Sequence, residues 1–394
     1  MGRIELNSDQ IFAGIEASRW WHSASSDQIF EISGAAGTGK TTSIKYILQE
    51  LGLDPFHDVL FVAYTGKAAT QLARNSLPAI TCHSAFYEYI KEIDRDEDGR
   101  AIILPNGKPK LKGVFRPKDH LKKRYKAICI DEATMINQEM KTDITNFGLP
   151  IFALGDTNQL PPVFGKSVFL VDPNVTLRKL MRQAEDNPIV YIAHRILDGY
   201  DLRPGVYGSS AIIRKKDLDP YQLKNADIVL TVTNNLKQHI NNLFREEFCG
   251  FTRLDLPYVG EKVICRRNDW SKSVGDNLFL TNGTTGFLDY VNKETYNGRS
   301  IECDFRPDFT PKTFRNLPID YKHLMRLEKS ESQAAMSFGM NIFEFAYAIT
   351  VYSSQGSQWP NVTALAELYG AEDFKRKVLY TMVTRASESV TLAI

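Results

Sequence analysis

The string Gly34-Ala-Ala-Gly-Thr-Gly39-Lys40-Thr41 combines the residue types needed to hold a chain of phosphates. Glycines let backbone N–H groups close around phosphate oxygens, the lysine offsets their charge, and the threonine hydroxyl can ligate an accompanying Mg²⁺. A random chain of this length would contain such a string only about once in a hundred cases. Its setting also argues against chance. The apolar run 29–33 reads as a strand before it and a helical stretch follows, so the positive end of a new helix meets the same site. The nucleotide-binding candidates are therefore Gly34, Gly37, Thr38, Gly39, Lys40, Thr41 and Thr42. Asp131-Glu132 closes another apolar run, 127–130. At the carboxyl edge of a parallel strand, Asp131 can hold Mg²⁺ together with Thr41, and Glu132 can orient and deprotonate a water that attacks the terminal phosphate. An isolated Asp-Glu pair usually lies in a solvated loop. A phosphate loop upstream makes this one a catalytic candidate.

Groups from distant parts of the chain meet only if a rigid sheet brings its strand ends together. Runs 29–33, 59–64, 127–130 and 151–154 read as buried parallel strands, and 228–232, 345–352, 362–368 and 390–394 form a second set. The fold class expected is α/β, with two such domains in tandem, since 394 residues exceed one ordinary core. Two stretches break the rhythm. Runs 101–104 and 111–115 flank Asn106-Gly107, a dipeptide suited to a tight hairpin turn, so a β-hairpin is expected to project from the first domain. Between residues 257 and 340, short β-rich runs such as 262–266 and 277–280 surround Gly283 and Gly286, which predicts a small β-rich insertion in the second.

Composition adds limits. No apolar run approaches the roughly 18 residues of a membrane span, and residues 1–10 are polar, so a cytoplasmic protein without membrane contact is expected. Cys82, Cys129, Cys249, Cys265 and Cys303 are scattered and form no C-x-x-C pair, which predicts free thiols and no structural metal. A net charge of +1 does not announce a polyanionic partner. Locally, residues 108–126 hold nine Lys or Arg against one acid, Asp119. Alone, that run reads as a solvated face.

A phosphate loop also suits nucleotide kinases, GTPases and clamp loaders, so the remaining strings must discriminate. In order they are Leu6-Asn-Ser-Asp-Gln10, the phosphate loop, Val62-Ala-Tyr-Thr65-Gly-Lys67, Thr81-Cys-His83-Ser84, Asp131-Glu-Ala-Thr-Met135 and Leu154-Gly-Asp156-Thr-Asn-Gln159-Leu-Pro-Pro162. Leu180-Met-Arg182-Gln, Ala348-Ile-Thr350-Val-Tyr352-Ser-Ser-Gln355-Gly356 and Leu379-Tyr-Thr-Met-Val-Thr-Arg385-Ala complete the set. Together they resemble superfamily 1 helicases, and within them the RecD-like and Dda-like branch called superfamily 1B. The resemblance spans residues 5–387.

That resemblance implies two RecA-like domains, 1–87 with 121–176 and 177–257 with 346–394. A hairpin pin at 88–120 and an SH3-like insertion at 258–345 complete the implied division. It implies ATP and Mg²⁺ as cofactors, with Gln10 reading the adenine edge and Gly356 also near the nucleotide. Gln159 would sense the γ-phosphate, and Arg182 and Arg385 would face the ATP from the second domain. Nucleic acid would run over Thr65, Lys67, His83, Ser84, Thr233, Asn234, Thr350 and Tyr352, with Phe115 either a wedge at the fork or an anchor of the hairpin. The implied activity is 5′ to 3′ translocation on single-stranded DNA with unwinding of fork DNA. A phage-encoded monomer, with single-strand-binding or replisome proteins as partners, fits the same pattern, without nuclease or accessory domain. Tyr352-Ser353 stands where this branch commonly has His-Lys, which removes a basic phosphate contact. Thr134 stands where Ser is usual and keeps the hydroxyl. Two alternatives stay open. One keeps the ATPase in an RNA-directed helicase or protein-displacing translocase; the other is a small-molecule phosphotransferase.

Overall fold

The computed structural model describes residues 6–23, 27–96, 98–103, 107–109, 111–118, 120–161, 167–252, 255–275, 278–326 and 339–394. In chain order the first half contributes β1 (Ile29–Gly34), β2 (Val59–Ala63), β3 (Ile80–Thr81), β4 (Tyr87–Ile93), β5 (Leu111–Pro117), β6 (Ala127–Asp131), β7 (Ile151–Gly155) and β8 (Val175–Leu177). Six of these form a parallel sheet in the order β3-β2-β6-β7-β1-β8. Every residue of β2 and β7 is buried, as a sheet covered on both faces requires. Side chains alternate between the faces. Phe30, Ile32 and Phe61 pack with Ile44 and Ile47 on one side, while Leu60, Val62, Ile128 and Ile130 pack with Phe86 and Ile136 on the other. The order also has a chemical consequence. With β7 between β6 and β1, the loops after all three emerge side by side at one carboxyl edge.

The second half begins with β9 (Gly205–Tyr207), β10 (Ser210–Ile213) and β11 (Ile228–Thr231) and ends with β19 (Ala348–Thr350), β20 (Trp359–Leu365) and β21 (Ala386–Ala393). These make a second sheet, β19-β11-β20-β21-β10-β9, parallel except for β9 against β10. Between β11 and β19 lies the insertion. Its strands are β12 (Lys262–Cys265), β13 (Asp269–Ser273), β14 (Phe279–Leu280), β15 (Thr285–Asn292), β16 (Ser300–Pro307), β17 (Phe314–Asp320) and β18 (Phe343–Phe345). Five build an antiparallel sheet, β17-β16-β15-β12-β18, and β13 and β14 form a separate ribbon. Strict burial alternation along β16 sends Ile301, Cys303 and Phe305 into the insertion's own core.

Two expectations about local structure are corrected. The hairpin's first arm is β4 and not 101–104: Tyr87 pairs with Pro117 and Ile93 with Leu111. Along β4 Glu88 and Lys91 are exposed, but Glu92 is half-buried and Ile93 exposed, so the stretch carries no clean alternation that would mark a strand. Residues 101–103 lie nearer the tip, where the described residues form the isolated bridges Arg95–Ala101 and Ile103–Pro109. Asn106, at the expected turn, lies outside the described residues. The run 345–352 is likewise two strands and a turn. β18 pairs with β12, β19 pairs with β11, and Val351–Ser354 forms a 3-10 turn. The buried Asn241 amide binds both the N–H and the carbonyl of Ala348 as the chain passes between sheets. Both sheets bury this stretch, so apolar periodicity could not reveal the break.

Candidate functional site

The phosphate loop follows β1 and opens helix Lys40–Glu50, with Gly39 at the cap in the left-handed region (φ 81°). Gly37 shares that conformation. Lys40 folds its ammonium back onto the Gly34 carbonyl at 2.6 Å, and Thr38 Oγ1 donates to Ala35 O at 2.8 Å. Thr41 and Thr42 stand half-buried in the helix's first turn. Gln10 reaches the loop from helix Ser8–His22, whose start it helps to build. Asn7 caps the N–H groups of Asp9 and Gln10, and Gln10 Oε1 accepts the Asn7 N–H at 2.9 Å. That capping box aims the amide N–H groups at the Thr38 and Gly39 carbonyls, 3.4 Å away. Gln10 is fully buried and not the surface amide its type alone suggests.

Asp131 ends β6 in this cleft. Burial, reinforced by the Glu132 charge and opposed by Lys40, pushes its carboxyl up to about 6. Glu132 adopts φ 53°, a left-handed conformation costly for a side chain with a Cβ, and this turns it out of the strand line. A dehydrated carboxylate beside a lysine and a helix N-terminus suits a hydrated divalent cation bound with phosphate, so Asp131 and Thr41 fit as Mg²⁺ partners. After β7 comes Asp156, also buried, which accepts from Asn158 N and Nδ2 at 3.0 Å. Gln159 follows, half-buried.

The second domain lines the opposite wall. Arg385, just past helix Glu372–Val383, is fully dehydrated; burial draws its pKa down against the attraction of Glu132 and Asp156. Nη1 donates to Ser357 O at 3.2 Å and Nη2 to Thr384 Oγ1 at 3.4 Å. Nε has no partner among the described residues, leaving a buried donor. Arg182 opens helix Arg182–Glu185, but its side chain lies outside the described residues. Gly356 (φ 68°) does not line the phosphate loop: its carbonyl accepts Thr65 Oγ1 at 2.7 Å, joining the two domains. Gln355 Nε2 adds a 2.6 Å bond to Leu160 O.

A groove of about 140 Å³ runs between the first domain and the insertion, lined by Tyr64, Thr65, Lys67, His83, Trp270 and Thr285 among others. Lys67 is already paired there. Its ammonium lies 3.1 Å from Asp308 and 3.9 Å from the Trp359 ring centre, and Asp308 also accepts from Thr285 (2.7 Å) and Trp359 Nε1 (3.0 Å). His83 is not a basic contact. Burial draws its pKa down to about 4, and the neutral ring packs 4.8 Å from Trp270. Phe115 stands near the hairpin's base, opposite Tyr89, and not at its tip. Its ring meets Trp270 edge-on at 4.6 Å and also contacts His83, Tyr87 and Tyr89. Ser84 is buried, and its hydroxyl accepts from Thr81.

Thr233 and Thr350 cap the turns after β11 and β19, with Thr233 Oγ1 also donating to Glu367 at 2.5 Å. Asn234 is exposed and Tyr352 half-buried. Beside Tyr352-Ser353, Arg266 of the insertion donates to Ser353 Oγ at 3.3 Å, which returns a cation to that edge. Sequence reasoning missed Trp270, Asp308, Arg266 and Tyr380. The first three lie in the insertion, where no motif marks them, and a tyrosine in the apolar last turns of a helix reads as core.

Residues 19–165 match the family model of an AAA domain, and residues 345–393 match that of the UvrD-like helicase C-terminal domain. The ATP-dependent RecD2 DNA helicase of Deinococcus radiodurans is 24% identical over 391 residues, covering 91% of this chain. Bacteroides Pif1 bound to single-stranded DNA superposes with a TM-score of 0.51 at 17% identity, over 99% of this chain and 92% of that one. The chain is thus similar to helicases of RecD2 and Pif1 type. A second Bacteroides Pif1 structure, with ADP-AlF3 and single-stranded DNA, gives a TM-score of 0.51 at 16% identity, over the same shares of both chains. At such identities the structural likeness establishes the two-domain RecA-like fold. The chain spans 46% of the length of its RecD2 relative.

Proposed function

We propose that this chain is a superfamily 1 helicase that hydrolyses ATP between its two RecA-like domains and uses the cycle to move 5′ to 3′ along single-stranded DNA and unwind forks. One observation carries the reading: Lys40, Asp131 and Glu132 from one domain and buried Arg385 from the other share a single cleft, close enough for Glu132 and Asp156 to act on Arg385. Bound Mg·ATP would bring a reactive phosphoanhydride whose transferred charge is largely neutralised by the metal. Lys40 would leave the Gly34 carbonyl for the phosphates, and Glu132 would take the proton of the attacking water. Arg385, with Arg182, would stabilise charge developing on the γ-phosphate, so that hydrolysis depends on domain closure. Gln10 would read the adenine edge, and Gln159 would report on the γ-phosphate. The groove lined by Thr65, Lys67 and Trp270 would take the nucleic-acid strand by backbone contact and stacking, without reading sequence.

The test is ATP turnover with and without single-stranded DNA, followed by unwinding of forks tailed on one strand only, in DNA and RNA versions. Stimulated turnover with unwinding of the 5′-tailed DNA fork is expected. Turnover indifferent to any nucleic acid would favour a small-molecule phosphotransferase, and preference for the RNA forks would replace the DNA assignment.

A further inference from the structure

The tip of the phosphate loop is shaped by the second domain. Tyr380, fully buried in helix Glu372–Val383, accepts the Ala36 N–H at 2.7 Å and donates its own proton to Asp156 Oδ2 at 2.5 Å. Burial and the Asp156 carboxylate raise its pKa well above the usual phenol range, so this proton stays on Tyr380. The carbonyl of the same residue, in the next peptide, is held as well. Ala36 O lies 3.2 Å from His194 Nε2, and a carbonyl can only accept, so this nitrogen carries hydrogen. One residue on, Gly37 O accepts the Met181 N–H at 2.9 Å. A Cβ at Gly37 would meet Val190 at 2.9 Å and Ala184 at 3.1 Å, so the second domain also packs against the loop sterically.

We propose that Tyr380 and His194 are positioning residues that make the conformation of the phosphate loop depend on where the second domain sits. The inference rests on the proposed ATPase. Displacing helix Glu372–Val383 pulls at once on the Ala36 peptide and on Asp156. The loop after Asp156 moves with them, because Leu160 N donates to Thr381 Oγ1, the residue next to Tyr380, at 2.9 Å. One helix turn thus holds the loop that would wrap the phosphates and the loop that carries Gln159. Neither Tyr380 nor His194 needs to touch nucleotide. They transmit position through hydrogen bonds that a nearly dry cleft makes directional and costly to lose.

Tyr380→Phe keeps the ring and deletes both bonds. Its kcat for ATP, measured with saturating single-stranded DNA, should fall about tenfold or more, the usual cost of a buried bond to a charged partner. The Kd for a fluorescent ATP analogue should change by less than about threefold, since uniform binding is not what is lost. His194→Ala should also lower kcat, and His194→Gln, which retains an N–H for the Ala36 carbonyl, should recover most of it. Melting temperatures are recorded for each variant. Loss of kcat in proportion to lost stability, with Gln no better than Ala at position 194, overturns the proposal. Amide exchange across residues 34–40 supplies a readout that needs no turnover: it should quicken in Tyr380→Phe, and unchanged exchange also overturns the inference. Wild type that fails to hydrolyse ATP, together with quickened exchange in Tyr380→Phe, would sink the ATPase reading and leave the coupling standing.

Discussion

Replacing Lys67 by Met should flatten the rise of stability at alkaline pH. Burial between Asp308 and the Trp359 ring draws the Lys67 pKa from 10.5 down to about 8, against the attraction of Asp308. The unfolded chain holds that proton up to the ordinary value. Between pH 8 and 10.5 the unfolded state therefore binds more protons than the folded one, and stability increases with pH. Below pH 8 both states are protonated and the full cost of burying the charge is present. At about 1.4 kcal/mol per pH unit, the interval corresponds to about 3 kcal/mol. For a domain of 150–250 residues that is on the order of 6 °C in Tm, at roughly 2 °C per kcal/mol. Differential scanning fluorimetry in steps from neutral to strongly alkaline pH, on wild type and Lys67→Met together, isolates the term because other titrations cancel in the difference. Wild type should gain on the variant across this window. In Asp308→Asn, which removes the attraction that favours the charged form, the gain should begin at lower pH. A flat difference curve would refute the burial of a charged lysine at this junction.

Lys40→Ala and Glu132→Gln should each abolish ATP turnover, while only Glu132→Gln keeps near-normal nucleotide affinity, as radiolabelled ATP turnover and equilibrium binding would report. Arg385→Ala should lower kcat by roughly 10³ with a smaller change in ATP affinity, and a variant that only binds more weakly would demote it to a ground-state contact. Because the Asp131 carboxyl sits at about 6 without metal, its Mg²⁺ affinity should weaken progressively as pH falls through that value, measured by titration at fixed nucleotide. Phe115→Ala and Trp270→Ala should impair unwinding alike, since the rings meet at 4.6 Å. Loss of unwinding in Phe115→Ala alone would restore it as an independent wedge.

The phosphate loop and the acidic strand end beside it were legible because their chemistry is local. A loop that must approach phosphate with its backbone needs glycines at fixed spacing, and a carboxylate at a strand's end announces itself by the apolar run before it. The hairpin's first arm was misplaced for the opposite reason. Asn106-Gly107 signals a turn strongly, whereas Tyr87–Ile93 pairs with residues 18 to 30 positions away and shows no clean alternation among its charges. Gln10 was found by motif, yet its burial through the capping box with Asn7 belongs to geometry. The Asp308 junction was invisible because its donors come from Lys67, Thr285 and Trp359, which share no sequence neighbourhood. The same holds for Tyr380, whose partners lie 224 and 344 residues away.

The chain carries its own optical reporter. Of its four tryptophans, Trp20 and Trp21 are half-buried and pack around Phe152 on one face of the first sheet. Trp270 stands between His83 and Phe115, and Trp359 has the Lys67 ammonium over its face. Two of the four indoles thus sit at or beside the groove, one tilted against the His83 ring and one beneath the Lys67 ammonium. Any ligand that parts these rings or withdraws Lys67 will change colour and quantum yield without a dye attached, and single Trp→Phe replacements at 270 and 359 would assign each signal to its side of the groove.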